Sequence, residues 1–138
     1  MKSLLSLLLC LIVASAAEPA KPSPDAHPGR LLEAAGVRAE FVVQSDRRAS
    51  IVFQDSSGKP IARGDRMVVV KVDGKDVALE PQPNGFLSKE PLAAKEPAPV
   101  VVQVRVSADA KPSNFRLSLN TALCGECKRA EYACTCAH

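Results

Sequence analysis

The chain has 138 residues, which is enough for one domain of ordinary size built around a single hydrophobic core. Its 18 Lys and Arg residues against 15 Asp and Glu residues give a formal net charge of +3, and only 4% of the residues are aromatic. Surfaces that bind nucleic acids combine clustered basic residues with rings that stack on bases, and this composition supplies neither. We therefore expect a small globular domain with no nucleic-acid partner.

The first 17 residues have the layout of a secretory signal peptide. Lys2 supplies the positive charge, residues 4–13 form an apolar segment, and small residues at 14–17 provide a cleavage site. The apolar segment is too short to span a bilayer, which needs about 20 residues, and no later segment is long enough either. The sequence thus predicts an exported chain, periplasmic or secreted, with no membrane span after cleavage. Cys10 is removed together with the signal.

The next segment, residues 18–28, is the proline-rich and polar stretch EPAKPSPDAHP, which is typical of an extended tether. From residue 29 to residue 120 apolar and polar residues alternate with a period of two, the pattern of half-buried strands. Short turn sequences such as Asp73-Gly74 and Pro83-Asn84-Gly85 separate the strands. Strands are predicted at residues 31–33, 37–44, 50–54, 67–72, 75–80, 86–87, 100–106 and 115–120.

The two last predicted strands indicate where the core lies. Val102, Val104, Phe115 and Leu117 occupy alternate positions and are expected to face one core. The segment 88–99 contains three prolines, which favours a crossover along an exposed edge over a central strand. No stretch of ten residues has a helical period. Seven or eight short strands predict an all-β fold, an antiparallel two-sheet sandwich of the immunoglobulin-like kind spanning residues 29–120, with a small closed barrel as the alternative.

The body offers no pattern that is typical of an enzyme. The only histidines are His27 in the tether and His138 in the tail, and neither has a serine or cysteine placed beside it as a nucleophile. A phosphate-binding glycine loop and the G-x-S-x-G nucleophile motif are both absent from the sequence. We therefore expect a protein that is not an enzyme.

Several short motifs of the body resemble those of a known group of domains. They are His27-Pro28-Gly29, the strand Glu40-Phe41-Val42-Val43, the turn Gly58-Lys59-Pro60 and the hairpin Asp73-Gly74-Lys75. Through them, residues 27–120 resemble the small β-rich domains of periplasmic proteins and adaptor subunits of bacterial heavy-metal efflux systems. The resemblance implies a β-rich fold, a role in heavy-metal homeostasis and an efflux-system component as partner. The cysteine-rich tail lies outside it.

The tail, residues 121–138, ends in CGECKRAEYACTCAH and holds every cysteine that remains after signal cleavage. Cys124 and Cys127 form a C-x2-C pair, Cys134 and Cys136 form a C-x-C pair, and His138 follows two residues later. No disulfide within one chain can therefore join the tail to the body. For this reason we expect the tail and the body to be energetically separate.

The spacing leaves three chemistries open. A C-x2-C pair can fold two thiolates onto one metal ion, and two cysteines on one face of an extended segment can complete a tetrahedral set. Four thiolates suit Zn²⁺ or Cd²⁺, two or three suit Cu⁺, and His138 could replace one of them. His27 is a candidate fifth ligand. Local disulfides fit an exported protein, although a Cys134–Cys136 bridge would be strained. Thiol redox chemistry is the third alternative.

The sequence thus predicts an exported accessory protein that binds a soft metal ion in heavy-metal homeostasis or efflux. The predicted metal ligands are Cys124, Cys127, Cys134, Cys136 and His138. One alternative is a non-catalytic adhesion or scaffolding sandwich with a disulfide-knotted tail. Another is a thiol–disulfide partner protein.

Overall fold

The computed structural model of the chain describes residues 29–136. The predicted signal peptide at 1–17, the tether at 18–28 with His27, and the terminal His138 lie outside the described residues. What the sequence predicts about them stays a prediction.

Nine strands and one short 3₁₀ turn make up the described part of the chain. They are β1 (Arg30–Ala34), β2 (Val37–Val43), β3 (Ala49–Phe53), β4 (Met67–Val72), β5 (Lys75–Val77), β6 (Leu79–Gln82), β7 (Gly85–Ser88), β8 (Ala98–Arg105), β9 (Ser113–Leu119) and the 3₁₀ turn at Glu131–Ala133.

The strands form two antiparallel sheets. One has five strands in the order β1-β2-β3-β7-β6, and the other has four in the order β5-β4-β8-β9. The prediction of an all-β fold of two antiparallel sheets, followed by a cysteine-rich segment, is confirmed. An immunoglobulin-like connection of the strands stays a prediction.

The core lies between the alternating apolar faces of the two sheets. Val100, Val102 and Val104 of β8 are at most 1% exposed, and Phe41 and Ile51 of the opposite sheet are completely buried. Because side chains alternate across a strand, the period-two pattern of the sequence places these residues on one face. Phe115 and Leu117 of β9 are half-buried against the same cluster. The predicted core face of the last two strands is therefore confirmed.

Two tight turns depend on the residues that the sequence provides. Asp73 and Gly74 both have positive φ angles, 51° and 76°, as the two-residue β4–β5 hairpin turn requires. Gly85 begins β7, and a Cβ atom at this position would lie 1.8 Å from the carbonyl oxygen of Ile51. Only glycine therefore allows β7 to pair so closely with β3.

One predicted strand is divided in the structure. The segment predicted as a single strand at 75–80 forms β5 in the four-stranded sheet and β6 in the five-stranded sheet. The chain passes from one sheet to the other at Ala78, whose carbonyl accepts a hydrogen bond from Lys89 N–H. Residues 89–97 then connect the two sheets again without a strand and place Leu92 in the core. The crossover predicted for 88–99 is therefore shorter than expected, because Pro99 already belongs to β8, between β4 and β9.

The tail packs on the body, which the sequence did not predict. Tyr132 is 5% exposed and Ala133 1% exposed, and both belong to the main hydrophobic cluster. The Tyr132 ring meets the Phe41 ring edge-on at 5.9 Å, and its hydroxyl oxygen accepts a hydrogen bond of 2.9 Å from Val43 N–H. These contacts argue against the expected energetic separation of tail and body, which unfolding measurements can test. The tail packs on the sandwich and adds Tyr132 and Ala133 to its core.

Candidate metal centre

The tail begins at a fixed point on the body. Both the backbone N–H and the hydroxyl of Thr121 donate hydrogen bonds to Glu96 Oε2, at 2.6 and 2.7 Å. The other oxygen of Glu96 pairs with the Arg47 guanidinium at 2.8 Å. The pKa of Glu96 is held below its usual range by the hydrogen bonds from the Thr121 backbone and hydroxyl and by the nearby Arg47. These effects outweigh desolvation, which would raise it. A charged carboxylate thus fastens Thr121, the second residue after β9.

The first cysteine pair lies in a tight loop that is closed by backbone hydrogen bonds. Cys124 N–H donates to the Arg129 carbonyl at 2.7 Å, and Lys128 N–H donates to the Cys124 carbonyl at 3.1 Å. Lys128 has a φ angle of 60°, a left-handed conformation that costs a residue other than glycine about 1–3 kcal/mol. Its ammonium group donates to the Gly125 carbonyl at 2.6 Å and so helps to hold the turn.

The second pair follows the 3₁₀ turn at Glu131–Ala133. Cys134 N–H donates to the Glu131 carbonyl at 3.1 Å, and the Cys134 backbone is extended, with φ −67° and ψ 138°. Arg30 on β1 donates from Nη1 to the Cys134 carbonyl at 3.2 Å. Cys136 N–H points back to Cys134 Sγ at 3.3 Å. The C-x-C pair is thereby positioned by the sheet edge and by its own backbone.

The four sulfur atoms converge. All four Sγ atoms lie within 4.8 Å of one another, and Cys134 Sγ lies 3.4 Å from Cys124 Sγ and 3.6 Å from Cys127 Sγ. An ion held by four sulfurs at about 2.3 Å has neighbouring sulfurs about 3.8 Å apart, whereas a disulfide bond measures about 2.05 Å. No disulfide bond joins these cysteines within residues 29–136. The spacing matches a tetrahedral thiolate shell.

The four sulfurs differ in their tendency to ionise. Backbone N–H groups of Cys127 and Glu126 donate to Cys124, and together with Cys134 they lower the pKa of Cys124 to about 6. At Cys134 the Cys136 N–H lowers the pKa, but desolvation and the adjacent sulfurs outweigh it, so this pKa is raised. The neighbouring sulfurs of Cys134 and Cys127 raise the pKa of Cys136 far above its usual value.

The unequal pKa values of these cysteines follow from the repulsion between thiolates that lie close together. Once Cys124 is a thiolate, each further deprotonation places another negative charge within 4.8 Å of it. A soft cation removes that repulsion and replaces the thiol protons. The cluster as a whole is therefore chemically suited to bind a cation through sulfur.

Burial is uneven around the cluster. Cys124 is 1% exposed, Cys134 and Cys136 are half-buried, and Cys127 is exposed. The cluster thus has one side against the body and one side toward solvent.

All four predicted cysteine ligands come together. The predicted histidine ligand, His138, lies outside the described residues. Sequence reasoning missed the residues that hold the cluster on the body, namely Arg30, Glu96, Thr121 and Tyr132. Tyr132 offered a signal, because it is the only tyrosine in the chain and lies between the two cysteine pairs. A buried aromatic residue at that point would dock the tail.

Comparisons of the chain with protein-family models, curated proteins and solved structures find no match. Among residues 29–136 no helix combines the length and apolar character that crossing a bilayer requires. A functional conclusion therefore depends on the chemistry of the cysteine cluster.

Proposed function

We propose that this chain is an exported accessory protein that binds one soft metal ion in heavy-metal homeostasis or efflux. The observation that carries the proposal is the convergence of Cys124, Cys127, Cys134 and Cys136, whose sulfurs all lie within 4.8 Å of one another. The export and the efflux-system partner follow from the signal-like segment at 1–17 and from the resemblance of residues 27–120.

The donor set favours a divalent ion over a monovalent one. Four thiolates at tetrahedral spacing suit Zn²⁺ or Cd²⁺, because these ions accept four sulfurs, whereas Cu⁺ is satisfied by two or three. A dication also offsets more of the charge that four thiolates bring. We therefore expect Zn²⁺ or Cd²⁺ to occupy the whole set, and Cu⁺ to leave at least one sulfur unused.

Metal binding and folding are expected to be linked. The ligands Cys127 and Cys134 lie on either side of Tyr132, so an ion that joins them also holds the segment whose tyrosine packs on Phe41. A ligand that binds only the folded state stabilises it, by about 2.7 kcal/mol when its concentration is 100 times the Kd. The metal should therefore raise the melting temperature of the entire domain.

The test is metal binding by the reduced chain. Cobalt titration should give one ion per chain with the intense visible absorption of tetrahedral thiolate coordination. The apparent affinity should climb as pH rises from about 5 to 8, because binding displaces thiol protons. Cys134→Ser and Cys136→Ser should each weaken binding sharply, and His138→Ala should matter less if four sulfurs fill the shell.

Thiol counting together with metal analysis separates the alternatives. A chain purified with two intact disulfides that resist mild reduction, no reactive thiol and no stoichiometric metal would contradict the metal proposal and favour the adhesion or scaffolding alternative. Rapid, reversible thiol–disulfide exchange without metal binding would favour the thiol–disulfide partner. Thiol counting before and after metal removal distinguishes these outcomes.

A further inference from the structure

We infer that Cys127 is the exchange ligand of the centre, through which the metal ion is handed to an incoming thiolate of an acceptor molecule. This inference rests on the proposed metal binding and adds a direction of transfer to it. A site with four protein ligands has no open coordination position, so a competitor can enter only by displacing a ligand, and an exposed ligand is the one within its reach.

The first argument is the difference between the two ends of the C-x2-C pair. Cys124 is 1% exposed, and both its N–H and its carbonyl are engaged in the loop, with Arg129 and Lys128. These contacts fix the Cys124 backbone, and burial keeps a competitor away from this residue. Cys127 has an exposed side chain, so its sulfur can leave the ion without disturbing the body.

The second argument is the open space at the loop between Cys124 and Cys127. An ideal Cβ built on Gly125 has no atom within 4 Å, and Glu126 and Lys128 are exposed as well. Nothing in the described chain covers this side of the loop at residue 125. By contrast, Cys134 lies behind the 3₁₀ turn and is held through its carbonyl by Arg30.

The third argument is an exposed apolar side chain in the same loop. Leu123, adjacent to Cys124, is 69% exposed and is the most exposed large hydrophobic residue among residues 29–136. Leu123 begins the loop that ends at Cys127, so it offers an acceptor that approaches this loop an apolar contact in addition to the metal–sulfur bond. The fitting acceptor is therefore one that presents a thiolate beside an apolar surface.

The transfer step is a ligand substitution. The incoming thiolate forms a metal–sulfur bond with its own electron pair, the bond between the metal and Cys127 Sγ breaks, and the departing thiolate keeps its electron pair and takes a proton from water. No atom is oxidised or reduced. Further sulfurs of the acceptor then replace the remaining three cysteines in the same way.

The experiment follows the release of Cd²⁺ or Zn²⁺ from the loaded full-length chain to dithiothreitol. We expect the release rate to rise in proportion to the dithiothreitol concentration, because the incoming thiolate takes part in the substitution. Gly125→Leu adds bulk in the open space of the loop between Cys124 and Cys127 and should slow release. Thr135→Leu is the control, because it places the same leucine side chain at an exposed position between Cys134 and Cys136, and it should leave the rate unchanged.

A second measurement identifies the ligand. Limited treatment of the loaded chain with N-ethylmaleimide, followed by peptide mass spectrometry, should show Cys127 modified first and metal lost together with that modification. First modification at Cys124, Cys134 or Cys136 would overturn the inference, as would a release rate that does not depend on dithiothreitol. Neither of those results contradicts the proposed metal binding. A chain that binds no metal would overturn the proposed function and this inference together.

Discussion

Replacing Tyr132 by alanine is the most direct test of whether the tail belongs to the sandwich. The change removes a side chain that is 5% exposed, its edge-on contact with the Phe41 ring, and the acceptor for Val43 N–H. Removal of a large buried aromatic side chain costs about 3–5 kcal/mol. In a domain of this size such a loss lowers the melting temperature by more than about 10 °C.

The assay is thermal unfolding of the reduced, metal-free chain, so that ligand effects do not enter. Tyr132→Phe keeps the ring and removes only the hydroxyl, and it should cost about 1–3 kcal/mol because Val43 N–H loses its partner. Thr135→Ala, an exposed change in the same segment, is the control and should melt like the parent chain. If Tyr132→Ala also melted like the parent, the tail would contribute nothing to the stability of the body. Our account of the packing would then be refuted.

Two further changes test the core and the attachment of the tail. Val104→Asp buries an unpaired carboxylate at a position with no exposure and should unfold the domain at a cost of several kcal/mol. Val69→Asp, at a 44% exposed position on β4, is the control and should stay folded. Circular dichroism separates the two, and a cooperatively folded Val104→Asp chain would contradict the assignment of faces. Glu96→Gln weakens the charged hydrogen bonds to Thr121 and should cost about 1.5–3 kcal/mol at neutral pH. Because the folded-state pKa of Glu96 is lowered, its stabilisation is complete above the unfolded pKa and is lost as pH falls through the folded pKa. Denaturant unfolding should therefore show the gap between parent and variant closing in acid, and a gap that stayed constant would exclude this role.

The hairpins of the body were predictable because their local signals agree with their tertiary setting. Asp73 and Gly74 accept the positive φ angles of a two-residue turn, and the strands on either side, β4 and β5, pair in register across it. The alternation in β8 likewise places its valines in the core, since burial on one face of a sheet demands a period of two. In these cases the same residues satisfy both the local turn or strand geometry and the packing of the sheets.

The division of the segment 75–80 was not predictable from its pattern. A chain that leaves one sheet and enters the other at Ala78 keeps its alternation, and no glycine or proline marks the change. Which sheet a strand joins is decided by its partner, β4 for β5 and β7 for β6. That choice depends on contacts distant in sequence, which a local period does not contain.

For the cysteine cluster, the residue types and spacing were sufficient to predict that the four cysteines converge and insufficient to predict their surroundings. Spacing alone shows that Cys124 and Cys127 can share an ion, and that Cys134 and Cys136 can complete the shell. Their unequal exposure results from the docking of Tyr132 and from the hydrogen bond of Arg30 to Cys134. Arg30 is 104 positions away in the sequence, so no local spacing could have indicated it.

The attachments of the tail explain how one centre can combine stable binding with access. Thr121 is tied to Glu96 on the crossover, Tyr132 to β2, and Cys134 to β1, so the buried side of the cluster is connected to the five-stranded sheet and to the crossover that joins the two sheets. Energy gained by binding a metal on this side is shared with the whole sandwich, because the ion and the core restrain the same segment. Within residues 29–136, Gly125 and Cys127 make no hydrogen bond to either sheet, and both are exposed. Ligand substitution there need not disrupt the contacts that hold the other three sulfurs in place.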